Sequence, residues 1–137
     1  MNATDPILLI ENDKVDILTL KRVMRDLEMQ SELYTVSSGE AGLAFLKDRS
    51  KPNPSIIFLD LDTPLENGLA ILEEVKADNE LHLIPVVVLT TSKDVRDRLQ
   101  AYSHCIAGYL VKPVDYNQFL EIMQTFFQYW YQNELVN

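Results

Sequence analysis

The chain has one cysteine, few basic residues and no long apolar run, and each shortage excludes a class of protein. Cys105 has no second cysteine with which to form an internal disulfide. The 12 Lys and Arg residues against 21 Asp and Glu give a net charge of −9, which disfavours direct binding to nucleic acid or to an anionic membrane. The longest apolar run, residues 83–89, is far too short to cross a bilayer, and no basic segment precedes an apolar stretch at the N-terminus. We therefore expect a cytoplasmic protein.

The pattern that is present is an alternation of strand-like and helix-like segments along all 137 residues, of which 47% are hydrophobic. Short apolar runs predict five strands, and apolar residues at helical spacing predict five helices between and after them. No repeat or linker interrupts the pattern. Alternating strands and helices are typical of a doubly wound α/β domain with a parallel sheet.

Individual helices have recognisable signals. The first carries Ile17, Leu20, Met24 and Leu27 at helical spacing, and the second is expected to begin with a capping box at Ser37 and Glu40. Residues 68–78 and 93–103 are predicted as the third and fourth helices. The residues of the fourth helix expected to face inward are Val95, Leu99 and Tyr102.

Four of the predicted strands end in polar residues that can act together. These residues are Glu11, Asn12 and Asp13 after the first strand, Asp60 after the third, Thr90 after the fourth and Lys112 after the fifth. Open α/β sheets bind ligands at the carboxyl ends of their strands, so we expect these side chains to share one edge. Carboxylate and amide oxygens suit a hard divalent cation. An acid, a hydroxyl and an amine beside that cation are the groups expected in a pocket that accepts a phosphoryl group.

A known family shares several of these residues: Glu11-Asn12, Asp60, Thr90 and Lys112-Pro113, with Pro64 four positions and Gly68 eight positions beyond Asp60, resemble the receiver domain of two-component response regulators. The resemblance covers essentially the whole chain. It implies a flavodoxin-like (CheY-like) sheet in the order 2-1-3-4-5 with five helices, as a single receiver domain over residues 1–137 without an output domain. Residues 89–92 and the aromatic C-terminal helix and tail, about 114–137, are similar to small receivers that partner cyanobacterial phytochromes.

The resemblance implies that the chain is a signalling protein that accepts a phosphoryl group, and not a conventional enzyme. Asp60 is expected to attack the phosphohistidine of a sensor histidine kinase, with a phytochrome as the narrower expectation for that kinase. Any activity of its own would be limited to self-phosphorylation and self-dephosphorylation. The expected ligands for Mg²⁺ are Glu11, Asn12, Asp60 and the backbone carbonyl of Asp62.

The same resemblance implies a conformational switch. Lys112 would pair with one phosphoryl oxygen, and Thr90 would donate a hydrogen bond to another and draw its loop inward. Tyr109 would then rotate toward the vacated space. The change would be read on the face formed by the fourth helix, the fifth strand and the fifth helix.

One position departs from the family pattern. Most receivers have a metal-binding aspartate where this chain has Asn12, which offers a neutral carbonyl oxygen. We expect weaker but not abolished Mg²⁺ binding, because a unit charge close to the metal is lost. Asp13 is expected to cap the first helix instead of replacing the ligand.

The fifth helix has a broad apolar surface. The stripe expected to pack on the sheet contains Tyr116, Phe119, Leu120, Met123, Phe127 and Trp130. Ile122, Phe126 and Tyr129 fall about a third of a turn away. They are candidates for homodimerisation or for docking on the kinase. The alternative is that this segment folds back on its own domain.

Other functions fit parts of the pattern. Residues 60–63 match the nucleophile motif of haloacid dehalogenase-type phosphatases, although no later strand supplies their second acidic pair. A flavin binder shares the sheet topology, but the loop after the first strand is acidic where a phosphate-binding loop is needed. Asn12 also leaves open a receiver fold that binds a partner and is never phosphorylated.

Overall fold

The computed structural model describes residues 1–61 and 65–136, and only the backbone of residues 65 and 66. Over this part of the chain, five parallel strands form one sheet in the order β2-β1-β3-β4-β5. The strands are β1 (Ile7–Ile10), β2 (Leu33–Val36), β3 (Ile56–Leu59), β4 (Val86–Thr90) and β5 (Gly108–Val111). The helices are α1 (Lys14–Asp26), α2 (Gly39–Lys47), α3 (Leu65–Ala77), α4 (Val95–Ser103) and α5 (Tyr116–Trp130). This confirms the predicted doubly wound fold.

The three central strands, β1, β3 and β4, are buried along their whole length. Successive side chains of a strand point to opposite faces of the sheet, so each central strand contributes to two separate cores. One core contains Leu8, Ile57 and Val86 with residues from α2, α3 and α4. The other contains Ile7 and Phe58 with residues from α1 and α5. Helices on both faces explain why these strands are apolar runs, with Thr90 at the end of β4 as the exception.

The predicted faces of α1 and α5 are confirmed. Leu20 and Met24 of α1 are buried, and the buried side chains of α5 are Phe119, Met123, Phe127 and Trp130. Asp13 caps α1 as predicted, since its carboxylate accepts the backbone N–H groups of Val15 and Asp16.

The prediction for the inward face of α4 is wrong. Val95, Leu99 and Tyr102 are all exposed, and the buried residue of this helix is Ala101. Apolar spacing gives the side of a helix on which the large side chains lie, but it does not give the side that faces the sheet. A small side chain at Ala101 lets α4 lie against the core and leaves an apolar stripe outside.

Three helix starts also differ from expectation. Ser38, not Ser37, caps α2, and its hydroxyl accepts the N–H of Ala41. The third helix begins at Leu65, three residues before the predicted start, and α4 begins at Val95 after an Asp94 cap. Neighbouring serine, threonine and aspartate residues are all competent caps, so the sequence does not distinguish between them.

None of the described helices is long and apolar enough to pass through a membrane.

Candidate functional site

Strand register brings the predicted polar residues to one edge of the sheet. Ile10 pairs with Leu59, so Glu11 and Asp60 leave the ends of neighbouring strands at the same level. At the other side of the site, Thr90 pairs with Val111, and Lys112 follows directly. Asp60 is nearly buried, with 8% of its side chain exposed. The predicted edge cluster of carboxylates and an amine therefore exists in the structure.

Lys112 is the centre of this cluster. Its ammonium donates to Glu11 Oε1 at 2.8 Å and to Asp16 Oδ2 at 3.0 Å, and lies 3.9 Å from Asp60 Oδ1. The side chain is 11% exposed and Glu11 is 2% exposed, whereas Asp16 is 34% exposed. Three carboxylates, one on α1 and two directly after β1 and β3, thus surround one cation.

The charges perturb one another in a consistent way. Burial acts to lower the pKa of Lys112, but its contacts with Glu11, Asp60 and Asp16 outweigh burial and raise that pKa. Burial acts to raise the pKa of Glu11, yet the hydrogen bond from Lys112 and the charge of that lysine hold it below its usual value. The pKa of Asp16 is raised by burial and by the neighbouring Glu11. Lys112 therefore stays protonated and Glu11 ionised at neutral pH.

A cavity of about 280 Å³ opens on the other side of Glu11 and is lined by Glu11, Asn12 and Asp60. These side chains offer two carboxylates and one amide oxygen, a donor set that suits Mg²⁺ or a similar hard cation. Among the residues that the structure describes, no three His, Cys, Asp or Glu side chains form a metal-binding group. Asp62, the fourth predicted ligand, lies outside the described residues, as does Pro64.

Gly68 lets α3 pack against the segment that follows Asp60. A Cβ atom at this position would lie 2.5 Å from Leu61 Cδ2, so a larger residue would force the buried Leu61 side chain to move. The absence of a side chain at Gly68 therefore allows close packing beside the acid.

The two predicted switch residues contact the same residue, Ser92. Thr90 is fully buried, and its hydroxyl oxygen accepts the Ser92 N–H at 3.1 Å. The Tyr109 hydroxyl donates to the Ser92 carbonyl at 3.1 Å, and the Ser92 hydroxyl donates to Asp97 of α4 at 2.6 Å. One loop residue therefore links β4, β5 and α4.

The predicted interface residues of α5 differ in their surroundings. Phe126 is half-buried, with its ring 5.7 Å from that of Phe58 and stacked 5.2 Å from that of Trp130. Ile122 is also half-buried, whereas 64% of Tyr129 is exposed. Tyr129 is the most accessible of the three, and Phe126 belongs largely to its own domain's core.

Asp16 is the site residue that was missed from the sequence. It lies about one helical turn after the cap Asp13, and its carboxylate accepts a hydrogen bond from Lys112. An acidic residue five positions after Glu11 was the available signal, but its meaning depends on how α1 is rotated against the sheet.

Comparison with known proteins agrees with the geometry. Residues 7–124 match the response regulator receiver domain family. Response regulator Rcp1 of Synechocystis sp. is 32% identical over 133 residues, which cover 94% of this chain and 90% of Rcp1.

Two solved structures are similar over nearly the whole chain. The Mn²⁺-bound form of Rcp1 has a TM-score of 0.87 at 31% identity and covers 97% of this chain and 99% of its own. The phosphorylated cyanobacterial phytochrome response regulator RcpA has a TM-score of 0.87 at 30% identity and covers 98% of this chain and 100% of its own. These similarities argue against the phosphatase and flavin-binding alternatives. The chain belongs to the response regulator receiver domain family, and it is similar to regulators paired with phytochromes.

Proposed function

We propose that this chain accepts a phosphoryl group on Asp60 from a sensor histidine kinase and transmits the change through its surface. One observation carries the proposal: the Lys112 ammonium lies 3.9 Å from Asp60 and 2.8 Å from Glu11 at the carboxyl edge of the sheet. Such a lysine neutralises charge on a phosphoryl group that reaches the neighbouring carboxylate.

The proposed transfer is a substitution at phosphorus. An Asp60 carboxylate oxygen forms a bond to phosphorus while the bond from phosphorus to the histidine nitrogen of the kinase breaks, and that nitrogen keeps the electron pair. Lys112 pairs with a phosphoryl oxygen. Because Asp60 and Lys112 are largely buried, their electrostatic interactions are stronger than they would be in water.

Glu11, Asn12 and Asp60 are the described side chains that would hold Mg²⁺ in the adjoining cavity. A bound Mg²⁺ would offset the negative charges of the acid and the phosphoryl group as they approach. We propose that Asn12 makes this binding weaker than an aspartate would, because its amide oxygen carries no formal charge.

The signal would pass through Ser92. If the Thr90 hydroxyl turns toward a phosphoryl oxygen, its contact with the Ser92 N–H changes, and Ser92 also holds Tyr109 and Asp97. Movement of this loop would therefore alter α4 and β5 together. The exposed apolar stripe of α4, formed by Val95, Leu99 and Tyr102, gives this face a surface that a partner can read.

An apolar rim beside the acceptor supports a kinase as the partner. Val15, Leu18 and Val114 are exposed around a groove of about 470 Å³, which is also lined by Lys112. A docking helix could cover these side chains while presenting its phosphohistidine to Asp60. Similarity to RcpA supports a phytochrome-type kinase, and family membership supports a cytoplasmic location.

We also propose that the chain forms a homodimer through α5 and the neighbouring β5 edge. Tyr129 is exposed beside the half-buried Ile122 and Phe126, and β5 is an edge strand of the sheet. Edge strands and exposed aromatic residues are surfaces that a second chain can cover.

Phosphotransfer tests the main proposal. The purified chain, with Mg²⁺, is incubated with an autophosphorylated phytochrome-type histidine kinase and separately with acetyl phosphate. We expect close to one phosphate per chain, and loss of essentially all labelling in Asp60→Asn. Asp94→Asn is the matched control, because it removes one carboxylate from a helix cap where Asn works equally well.

Labelling that persists in Asp60→Asn would show that another residue is the acceptor. If no donor labels the wild-type chain although it binds a kinase, the function is that of a non-phosphorylated binding module. Multiple turnover of a simple phosphomonoester would instead support a phosphatase.

A further inference from the structure

The lysine expected to meet the phosphoryl group is already held by a carboxylate outside the receiver motif. Asp16 Oδ2 accepts from the Lys112 ammonium at 3.0 Å, which is shorter than the 3.9 Å from that ammonium to Asp60 Oδ1. Glu11 holds the same ammonium at 2.8 Å. Before phosphorylation, the amine is therefore bonded more closely to β1 and α1 than to the acceptor.

The two carboxylates that flank the lysine lie on different sides of the site. Asp60 lines the cavity that also contains Asn12, whereas Asp16 lines the groove between α1 and the segment after β5. Glu11 lines both. An interaction with Asp16 therefore draws the lysine amine toward the groove and away from the cavity.

We propose that Asp16 is a positioning residue that holds Lys112 away from Asp60 until a phosphoryl group arrives. This inference rests on the proposed function of Asp60. A phosphorylated Asp60 gains negative charge, and it competes with Asp16 for the one ammonium. Removing the Asp16 charge then favours the phosphorylated form for two reasons: the competitor is lost and repulsion of the phosphoryl group falls.

The difference in solvent exposure explains why Lys112 would break its contact with Asp16 and keep its contact with Glu11. The Asp16 side chain is 34% exposed, so water can replace the lysine when the pair opens. Glu11 is 2% exposed, and leaving its carboxylate buried without the lysine would be far more costly. Lys112 can thus pivot on Glu11 from Asp16 to the phosphoryl group.

The test compares Asp16→Asn with Asp13→Asn, which removes the same charge from the start of α1 at a cap position where Asn is also favourable. The first measurement, on the unphosphorylated chain without metal, is hydrogen exchange of the Lys112 ammonium by ¹⁵N NMR. We expect exchange to become several-fold faster in Asp16→Asn and to stay unchanged in Asp13→Asn. Asp16→Glu keeps the charge and should remain close to wild type.

The second measurement is affinity for beryllium fluoride, a phosphoryl analogue, in the presence of Mg²⁺. We expect Asp16→Asn to bind it about fivefold more tightly, the size of effect typical of one partly exposed ion pair. Asp13→Asn should change little. Thermal unfolding of each variant shows that the differences do not come from loss of fold.

Unchanged or weaker analogue binding in Asp16→Asn would overturn the inference, as would unchanged exchange of the ammonium. Failure of the proposed function looks different: the wild-type chain then takes neither label nor analogue. In that case the exchange measurement still decides whether Asp16 holds the lysine.

Discussion

Lys112 shows how single residues set the chemistry of this site. Its raised pKa keeps the ammonium charged throughout the physiological range, although burial works in the opposite direction. The lysine is therefore not controlled by its own titration. In the proposed mechanism, the position of the ammonium depends on which of Glu11, Asp16 and Asp60 it pairs with, and a phosphoryl group on Asp60 would change that pairing.

Asn12 provides a second test at the residue scale. Asn12→Asp places a carboxylate at the rim of the cavity beside Glu11 and Asp60, so Mg²⁺ affinity is expected to rise. A full negative charge about 4 Å from a cation attracts it by a few kcal/mol at an effective dielectric near 20, and solvation offsets part of this energy. We expect the Mg²⁺ affinity to increase about tenfold or more. Isothermal titration calorimetry measures it directly.

Asn53→Asp is the control for this substitution, because it adds the same charge at an exposed position outside the cavity. An equal rise in both variants would point to a general effect of net charge. No rise in Asn12→Asp would show that the side chain at this position does not contribute to metal binding.

The strand-end residues were predictable because topology alone places them together. Parallel strands ending at one edge must bring Glu11 and Asp60 side by side, whatever the details of packing. Asp16 was not predictable in the same way. Its reach toward Lys112 depends on the rotation of α1 about its axis, which is decided by packing in the core between α1, α5 and the sheet.

Helix α4 shows the corresponding limit for a whole element. Its existence follows from the spacing of its apolar residues, but Val95, Leu99 and Tyr102 face outward. The Ser92 and Asp97 side chains at its start are instead joined to each other, and Ser92 is joined to β4 and β5. Contacts at the N-terminal end therefore orient α4, and sequence periodicity contains no information about them.

The connection from α3 to β4 gives an element-scale prediction about pH. The Asp78 carboxylate accepts the N–H groups of Glu80 and Leu81 at 2.8 and 2.9 Å, and these bonds lower its pKa. Because the pKa of Asp78 is lower in the folded than in the unfolded chain, its ionised carboxylate stabilises the fold when the pH is above the unfolded-state pKa. This stabilisation is lost as the pH falls through the folded-state pKa. The wild type should therefore be more stable than Asp78→Asn near pH 6, and the difference should shrink toward pH 3.

Thermal unfolding at a series of pH values measures this difference. Glu73→Gln removes a carboxylate from the exposed side of α3 and serves as the matched control for the loss of one negative charge. A wild-type advantage that grows as the pH falls would contradict the assignment of this capping role to Asp78.

At the scale of the whole molecule, the sequence determines the architecture because burial on two faces leaves few alternatives. The fully buried β1, β3 and β4, whose side chains are apolar except for Thr90 at the end of β4, lie in the middle of the sheet, and the half-buried β2 and β5 lie at its edges. Alternating helices then have to cover both faces. Assembly with a second chain is different, since it depends on which exposed side chains a partner covers.

The proposed dimer is therefore best tested at its most exposed position. Phe126→Glu would place a charge beside Phe58 and Trp130 inside the domain, so loss of a dimer could reflect loss of fold. Tyr129 is 64% exposed, and Tyr129→Glu should leave the fold intact while placing a charge in the proposed interface. We expect the wild type to sediment as a dimer and this variant as a monomer in analytical ultracentrifugation.

Leu83→Glu makes the same kind of change on an exposed residue between α3 and β4, away from α5, and should remain dimeric. Each chain is measured with and without beryllium fluoride, because release of Lys112 and movement of the Ser92 loop would reach the β5 edge through Tyr109. A dimer that forms only with the analogue would tie assembly to the acceptor site. A monomeric wild type under both conditions, or a Tyr129→Glu chain that still dimerises, would remove α5 as the interface.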